Sequence, residues 1–120
     1  MRRARQLIGG VDHEAIADFF AGLADPTRLR ILHVLLQQEM CTSDLATTLG
    51  IAEPLVSQHL RVLRSLDLVD SRRAGRLVYY SARGREVGRV VGLALRLHTG
   101  EGGAGDLGRP MAAGRSSRGA

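Results

Sequence analysis

The stretch that most restricts the fold runs from Thr42 to Leu66, "TSDLATTLGIAEPLVSQHLRVLRSL". It reads as a short helix closed by Gly50, a turn of about three residues, and a longer amphipathic helix. Two helices joined so tightly, the first short and the second amphipathic, form a helix-turn-helix pattern. Thr42 is the expected N-cap of the first. On a wheel of 100° per residue, Val56, Leu60 and Leu63 of the second fall at i, i+4 and i+7. Leu55, Val62 and Leu66 widen that stripe. Ser57, Gln58, Arg61, Arg64 and Ser65 gather opposite, with Pro54. Arg can fork onto guanine or a phosphate, and Gln can pair bidentately with adenine. Taken alone, the same face also reads as the solvated side of an ordinary amphipathic helix.

The period then changes. "LVDSRRAGRLVYYSA" holds two short β-like runs around Ala74-Gly75, with Arg72, Arg73 and Arg76 crowding the tip. A lone hairpin is marginal in water. Behind a helix-turn-helix and tipped with arginine, it is laid out as a wing, which touches the backbone beside the groove. The helical period returns for "GREVGRVVGLALRLHTG", where Val87, Val90, Val91, Ala94 and His98 share a stripe. Upstream, "VDHEAIADFFAGLA" is amphipathic, with Asp12 as N-cap. Asp25-Pro26 opens a helix that is apolar around much of its girth and so belongs in the core. The expectation is a mainly α fold with a small β-hairpin: a winged helix-turn-helix of five helices and a two-stranded wing.

At 120 residues the chain is expected to be one domain with tails. Residues 1–10 read as a flexible basic arm, 11–99 as the folded domain, and 100–120 as a disordered Gly/Arg-rich tail with little to bury. Aromatics are 3% and Trp is absent, so aliphatic side chains must fill the core. The formal net charge of +5 favours a polyanionic partner. All 17 basic residues are Arg, which fits phosphate recognition and equally the codon bias of a GC-rich genome. The single cysteine, Cys41, excludes an intramolecular disulfide and suits a reducing cytoplasm. No apolar run approaches the ~18 residues of a bilayer span, and "MRRARQLIGG" is a poor signal peptide. A cytoplasmic protein without a membrane partner is expected. With no Gly-rich phosphate loop, nucleophile elbow or HExxH, an enzyme is not.

Four stretches, "FFAGLADPTRLRILHVLL", "EMCTSDLATTLGI", "PLVSQHLRVLRSLDLV" and "RRAGRLVYYS", together resemble the ArsR/SmtB repressors across roughly residues 15–99. The resemblance implies a homodimeric winged helix-turn-helix that leaves its operator when an inducer binds. It also implies a dimer interface formed by the first and last helices. One departure is Ala52, where the family often has Ser at the start of the recognition helix; a lost cap costs about 1 kcal/mol. The base-edge candidates are Ser57, Gln58 and Arg61, and the phosphate candidates Arg64, Arg72, Arg73 and Arg76. His59 falls inside the apolar arc and reads as structural rather than base-contacting.

Two places in such proteins commonly hold metals. At the third helix a Cys-x-Cys pair supplies thiolates; here Cys41 remains but Ser43 replaces the second, which disfavours a multi-sulfur site for soft metals. On the last helix, Glu86, His98 and Glu101 resemble a shifted version of the family's nitrogen/oxygen set. Glu86 and His98 lie about 18 Å apart along a helix, so they can share an ion only between antiparallel helices of a dimer. His13, in "DHE", could complete the set. Imidazole plus carboxylate suits zinc, nickel or cobalt. The plainer alternative is acids favouring a helix dipole beside an unremarkable surface histidine. A regulator sensing another ligand, one acting through an accessory protein, and a winged helix that binds only protein also remain open.

Overall fold

The computed structural model of the chain describes residues 2–99. The expected tail and Glu101 lie outside the described residues. The element order is α1 (Arg2–Ile8), α2 (His13–Leu23), α3 (Pro26–Leu35), β1 (Met40–Cys41), α4 (Thr42–Leu49), α5 (Glu53–Ser65), β2 (Val69–Ala74), β3 (Leu77–Ala82) and α6 (Arg85–Thr99). The five expected helices are α2–α6. A further short helix, α1, falls within the stretch expected to be a mobile arm. The wing hairpin β2–β3 gains a third strand, giving an antiparallel sheet ordered β1-β3-β2.

Local chemistry sets most of the boundaries. Asp12 caps α2 by accepting from the Ala15 N–H at 3.0 Å, and Asp25 caps α3 by accepting from the Arg28 N–H at 2.9 Å. Pro26 sits in the first turn of α3. The Arg28 side chain turns back to the end of α2, donating to the carbonyls of Gly22 (2.7 Å) and Ala21 (3.1 Å). The Ala21 carbonyl also accepts from the Ala24 N–H at 3.2 Å, and a cation at this helix end suits the helix dipole. Helix α4 departs from expectation: its N-cap is Cys41, without a side-chain cap bond, and Thr42 is already helical. The short strand β1 occupies the chain up to Cys41, so the cap position falls one residue early.

Helix α3 is the axis of the core. Ile31 and Leu32 are fully buried and Leu35 nearly so, as a helix apolar around much of its girth requires. Around them pack Leu45 of α4, Val56, Leu60 and Leu63 of α5, Leu68 and Val69 entering the wing, and Val91 of α6. No aromatic side chain is fully buried there, and aliphatic groups fill the interior. Toward the end of α6, Leu95 still packs against this core while its neighbours on the other side of the helix do not. Leu93 and Leu97 are 48% and 73% exposed, and Ile16 and Phe20 of α2 are 45% and 53% exposed. Among the described residues no helix is long and apolar enough to cross a membrane.

Candidate nucleic-acid interface

The turn between α4 and α5 depends on Gly50. It adopts the left-handed conformation (φ 70°) and donates to the Ala46 carbonyl at 2.8 Å, closing α4. Ile51 and Ala52 complete the turn. Ala52 is the N-cap of α5 and makes no side-chain cap bond, as the sequence departure implied. Helix α5 then lies with Val56, Leu60 and Leu63 inward, 2% exposed or less. Leu55 and Val62, on the flank of that stripe, are more than a third exposed, so the buried arc is narrower than expected. Asp67 ends the helix region in a left-handed conformation (φ 59°), and the Leu68 N–H bonds the Leu63 carbonyl at 2.9 Å. This 6→1 bond turns the chain back so that Leu68 enters the core and the wing begins beside α5.

On the outer face of α5, Gln58, Arg61 and Arg64 are exposed and Ser57 is half-buried. Ser57, Arg61, Arg64 and Ser65 line a shallow groove floored by Leu60 and walled by Tyr80 of β3. The Ser65 hydroxyl is committed to the Val62 carbonyl at 2.7 Å, so it adds little outward recognition. His59 is only 16% exposed, with Nδ1 3.9 Å from the Asp25 carboxylate. It faces α3 rather than solvent, in keeping with a structural role. The Asp25 carboxyl is held below its usual value first by the Arg28 backbone N–H. Burial opposes that effect, and the charges of His59 and Arg28 assist it.

The pleat sorts the wing arginines. Alternate strand residues face opposite sides, so Val69, Ser71 and Arg73 share one face of β2. Val69 is buried and Ser71 pairs across to Tyr80, which places that face toward α5. Arg73 is therefore on the α5 side, and Arg76 sits in the two-residue hairpin turn after Gly75 (φ 64°). Arg72 is on the other face. It stacks over its cross-strand partner Tyr79 at 5.0 Å and forks onto Glu39, Nε–Oε2 2.7 Å and Nη2–Oε1 2.8 Å. Among the described residues Arg61, Arg64, Arg73 and Arg76 form no ion pair. The groove thus brings together Ser57, Arg61 and Arg64, with Gln58 exposed on the same helix. Strand alternation puts Arg73 on the α5 side of the wing, Arg76 lies at the hairpin tip, and Arg72 is bound within the chain. Glu39 had no signal in the sequence: its partner is 33 residues away, and no periodicity links them.

Three of the metal candidates, His13, Glu86 and His98, are exposed. His13 opens α2, Glu86 lies in the first turn of α6 and His98 in its last. Among the described residues no three His, Cys, Asp or Glu side chains cluster to hold an ion within one chain. Cys41 is buried, its Sγ 3.3 Å from the Ser43 Oγ.

Comparison with known proteins agrees with this geometry. Residues 25–71 match the arsR family of bacterial regulatory proteins. Over 68 residues the chain is 52% identical to a transcriptional repressor SmtB homolog of Synechocystis sp., an alignment covering 57% of this chain and 52% of that relative. It is 36% identical over 81 residues to the cadmium resistance transcriptional regulatory protein CadC of Listeria innocua, covering 67% and 68%. Its structure superimposes on the homodimeric winged helix-turn-helix DNA-binding domain of a Mycobacterium bovis protein. There the TM-score is 0.68 at 32% identity, covering 72% of this chain and 80% of that one. The chain thus spans about half the length of its Synechocystis relative and about two thirds of CadC. The fold is that of winged helix-turn-helix regulators, a family of transcriptional regulators rather than enzymes, and the chain belongs to the arsR family of bacterial regulatory proteins.

Proposed function

We propose that the chain is a homodimeric transcriptional repressor that inserts α5 of each protomer into successive major grooves of an operator. The observation that carries this reading is the outer face of α5. Gln58, Arg61 and Arg64 stand exposed with no partner among the described side chains, beside a wing that offers Arg73 and Arg76. Ser57, Gln58 and Arg61 read base edges, while Arg64, Arg73 and Arg76 hold phosphates. Two recognition helices related by a two-fold axis would meet half-sites about one helical turn apart. The exposed apolar residues of α2 and α6 support a dimer, since apolar surface of this kind gains most when a second copy covers it.

The inducer in this reading is a transition metal, Zn, Ni or Co, held between protomers by Glu86 and His98 with His13 and Glu101 in reserve. Two relatives lend support: one is a SmtB homolog and another is named for cadmium resistance. Among the described residues no three such side chains cluster within one chain, and Glu86 and His98 lie at opposite ends of α6, which favours a site shared across the dimer. The test is fluorescence anisotropy of the metal-stripped protein on DNA from upstream of its own gene, with Zn²⁺, Ni²⁺ and Co²⁺ added singly. A sequence-preferring complex that one ion dissolves supports the metal-sensing repressor. A complex indifferent to all three moves sensing to another ligand, to Cys41 or to a partner protein. His98→Ala should abolish the response, and unchanged affinity for all three ions in that variant discards the α6 site.

A further inference from the structure

We propose that Glu39 and Arg72 are positioning residues for DNA binding: their ion pair straps the wing to the start of the helix-turn-helix and keeps Arg72 off the DNA backbone. The proposal rests on the reading of the chain as a DNA-binding regulator.

The sheet is ordered β1-β3-β2, with Arg72 on the outer strand β2. Its guanidinium crosses the central strand by stacking on Tyr79 of β3 and reaches the carboxylate of Glu39, the residue before β1. One side chain thus spans all three strands. β1 in turn leads straight into α4, whose N-cap is Cys41. Between β1 and the hairpin the backbone register holds two residue pairs, Met40 with Tyr80 and Cys41 with Tyr79. The root of the hairpin is seated on the core through Leu68, Val69, Tyr80 and Ala82, whereas this short ladder is the only backbone pairing between the hairpin and β1 among the described residues. A fork with two parallel N–H···O bonds is directional and adds a side-chain tie from β2 to the start of β1. The pair is solvent-exposed, with Arg72 more than half so. Exposed pairs contribute little to global stability, so the effect falls on orientation rather than on folding. The pleat adds a second reason: Arg72 points to the face opposite Arg73 and α5. The Glu39 carboxyl is held below its usual range, chiefly by the hydrogen bonds from Arg72, so the strap stays charged at neutral pH.

The test compares the full-length protein with Glu39→Gln, Arg72→Gln and the double variant. Each is titrated onto its specific duplex and a scrambled one at several salt concentrations. The strap predicts that both single variants weaken specific binding alike, by roughly three- to tenfold, the cost of ordering one flexible contact. The double variant should be no worse than either. The slope of log K against log salt should not change, and binding to the scrambled duplex should stay as it was. A phosphate role for Arg72 predicts the reverse. Arg72→Gln would flatten the slope by about 1.8 for a dimer, and Glu39→Gln would bind as well as or better than the parent. That pattern, or no effect of either variant, overturns the proposal. Should Arg72→Gln unfold, Glu39→Gln alone decides, because the two readings give it different signs. A parent protein with no sequence preference is a separate outcome that removes the DNA-binding reading beneath it.

Discussion

Leu97 is the most informative single position for the assembly. It is 73% exposed near the end of α6, on the same helix as the half-exposed Leu93. Fully burying a leucine side chain gains about 2 kcal/mol, so covering the exposed part is worth about 1.5 kcal/mol. A two-fold interface counts each residue twice. Leu97→Ala should therefore weaken the dimer by about 3 kcal/mol, raising its dissociation constant on the order of 100-fold. Little loss is expected within the protomer, because the side chain sits outside the core. Sedimentation equilibrium measures the constant, and circular dichroism at a concentration where both proteins are dimeric checks the fold. A dissociation constant within threefold of the parent would refute the reasoning and place the interface elsewhere.

Three further outcomes follow from the core, the caps and the wing. Leu63→Ala removes a side chain with no exposed surface and should cost about 2–5 kcal/mol in urea unfolding; a loss below 1 kcal/mol would mean the α5 seat collapses without a cavity. Asp25→Ala should cost about 1 kcal/mol at neutral pH, because Asp25 caps α3. The Asp25 carboxyl is depressed below 3.8 in the folded chain, so its contribution is full above that value and is lost as pH falls through the lower folded value; a stability difference that vanished already at pH 6 would contradict this. Arg73→Ala should flatten the salt slope of operator binding by about 1.8 for the dimer, with sequence preference retained; an unchanged slope would remove Arg73 from the phosphate contacts.

What the sequence makes legible here is local. Val56, Leu60 and Leu63 repeat at helical spacing and are buried together; Asp12, Asp25 and Gly50 mark helix ends through bonds to residues three or four away. Gly75 announces the hairpin because the turn needs a positive φ. What escapes is short or distant. β1 is two residues long, too brief for any period, and its presence moves the cap of α4 from Thr42 to Cys41. Arg72 carries the same signal as Arg73 in the sequence, yet the pleat sends them to opposite faces and Glu39 claims only one. Ser65 lies on the polar face of α5 but spends its hydroxyl on its own helix. Glu86 and His98 sit at opposite ends of α6, a spacing that asks for a second chain.

The central claim is that the outer face of α5 reads base edges. Its most direct test is anisotropy of the parent, Gln58→Ala and Arg61→Ala on the specific duplex and on a scrambled one at matched salt. Each substitution should cost about 1–3 kcal/mol on the specific duplex and far less on the scrambled one, narrowing the gap between the two. Specific binding that survived both substitutions, with the gap intact, would contradict the account.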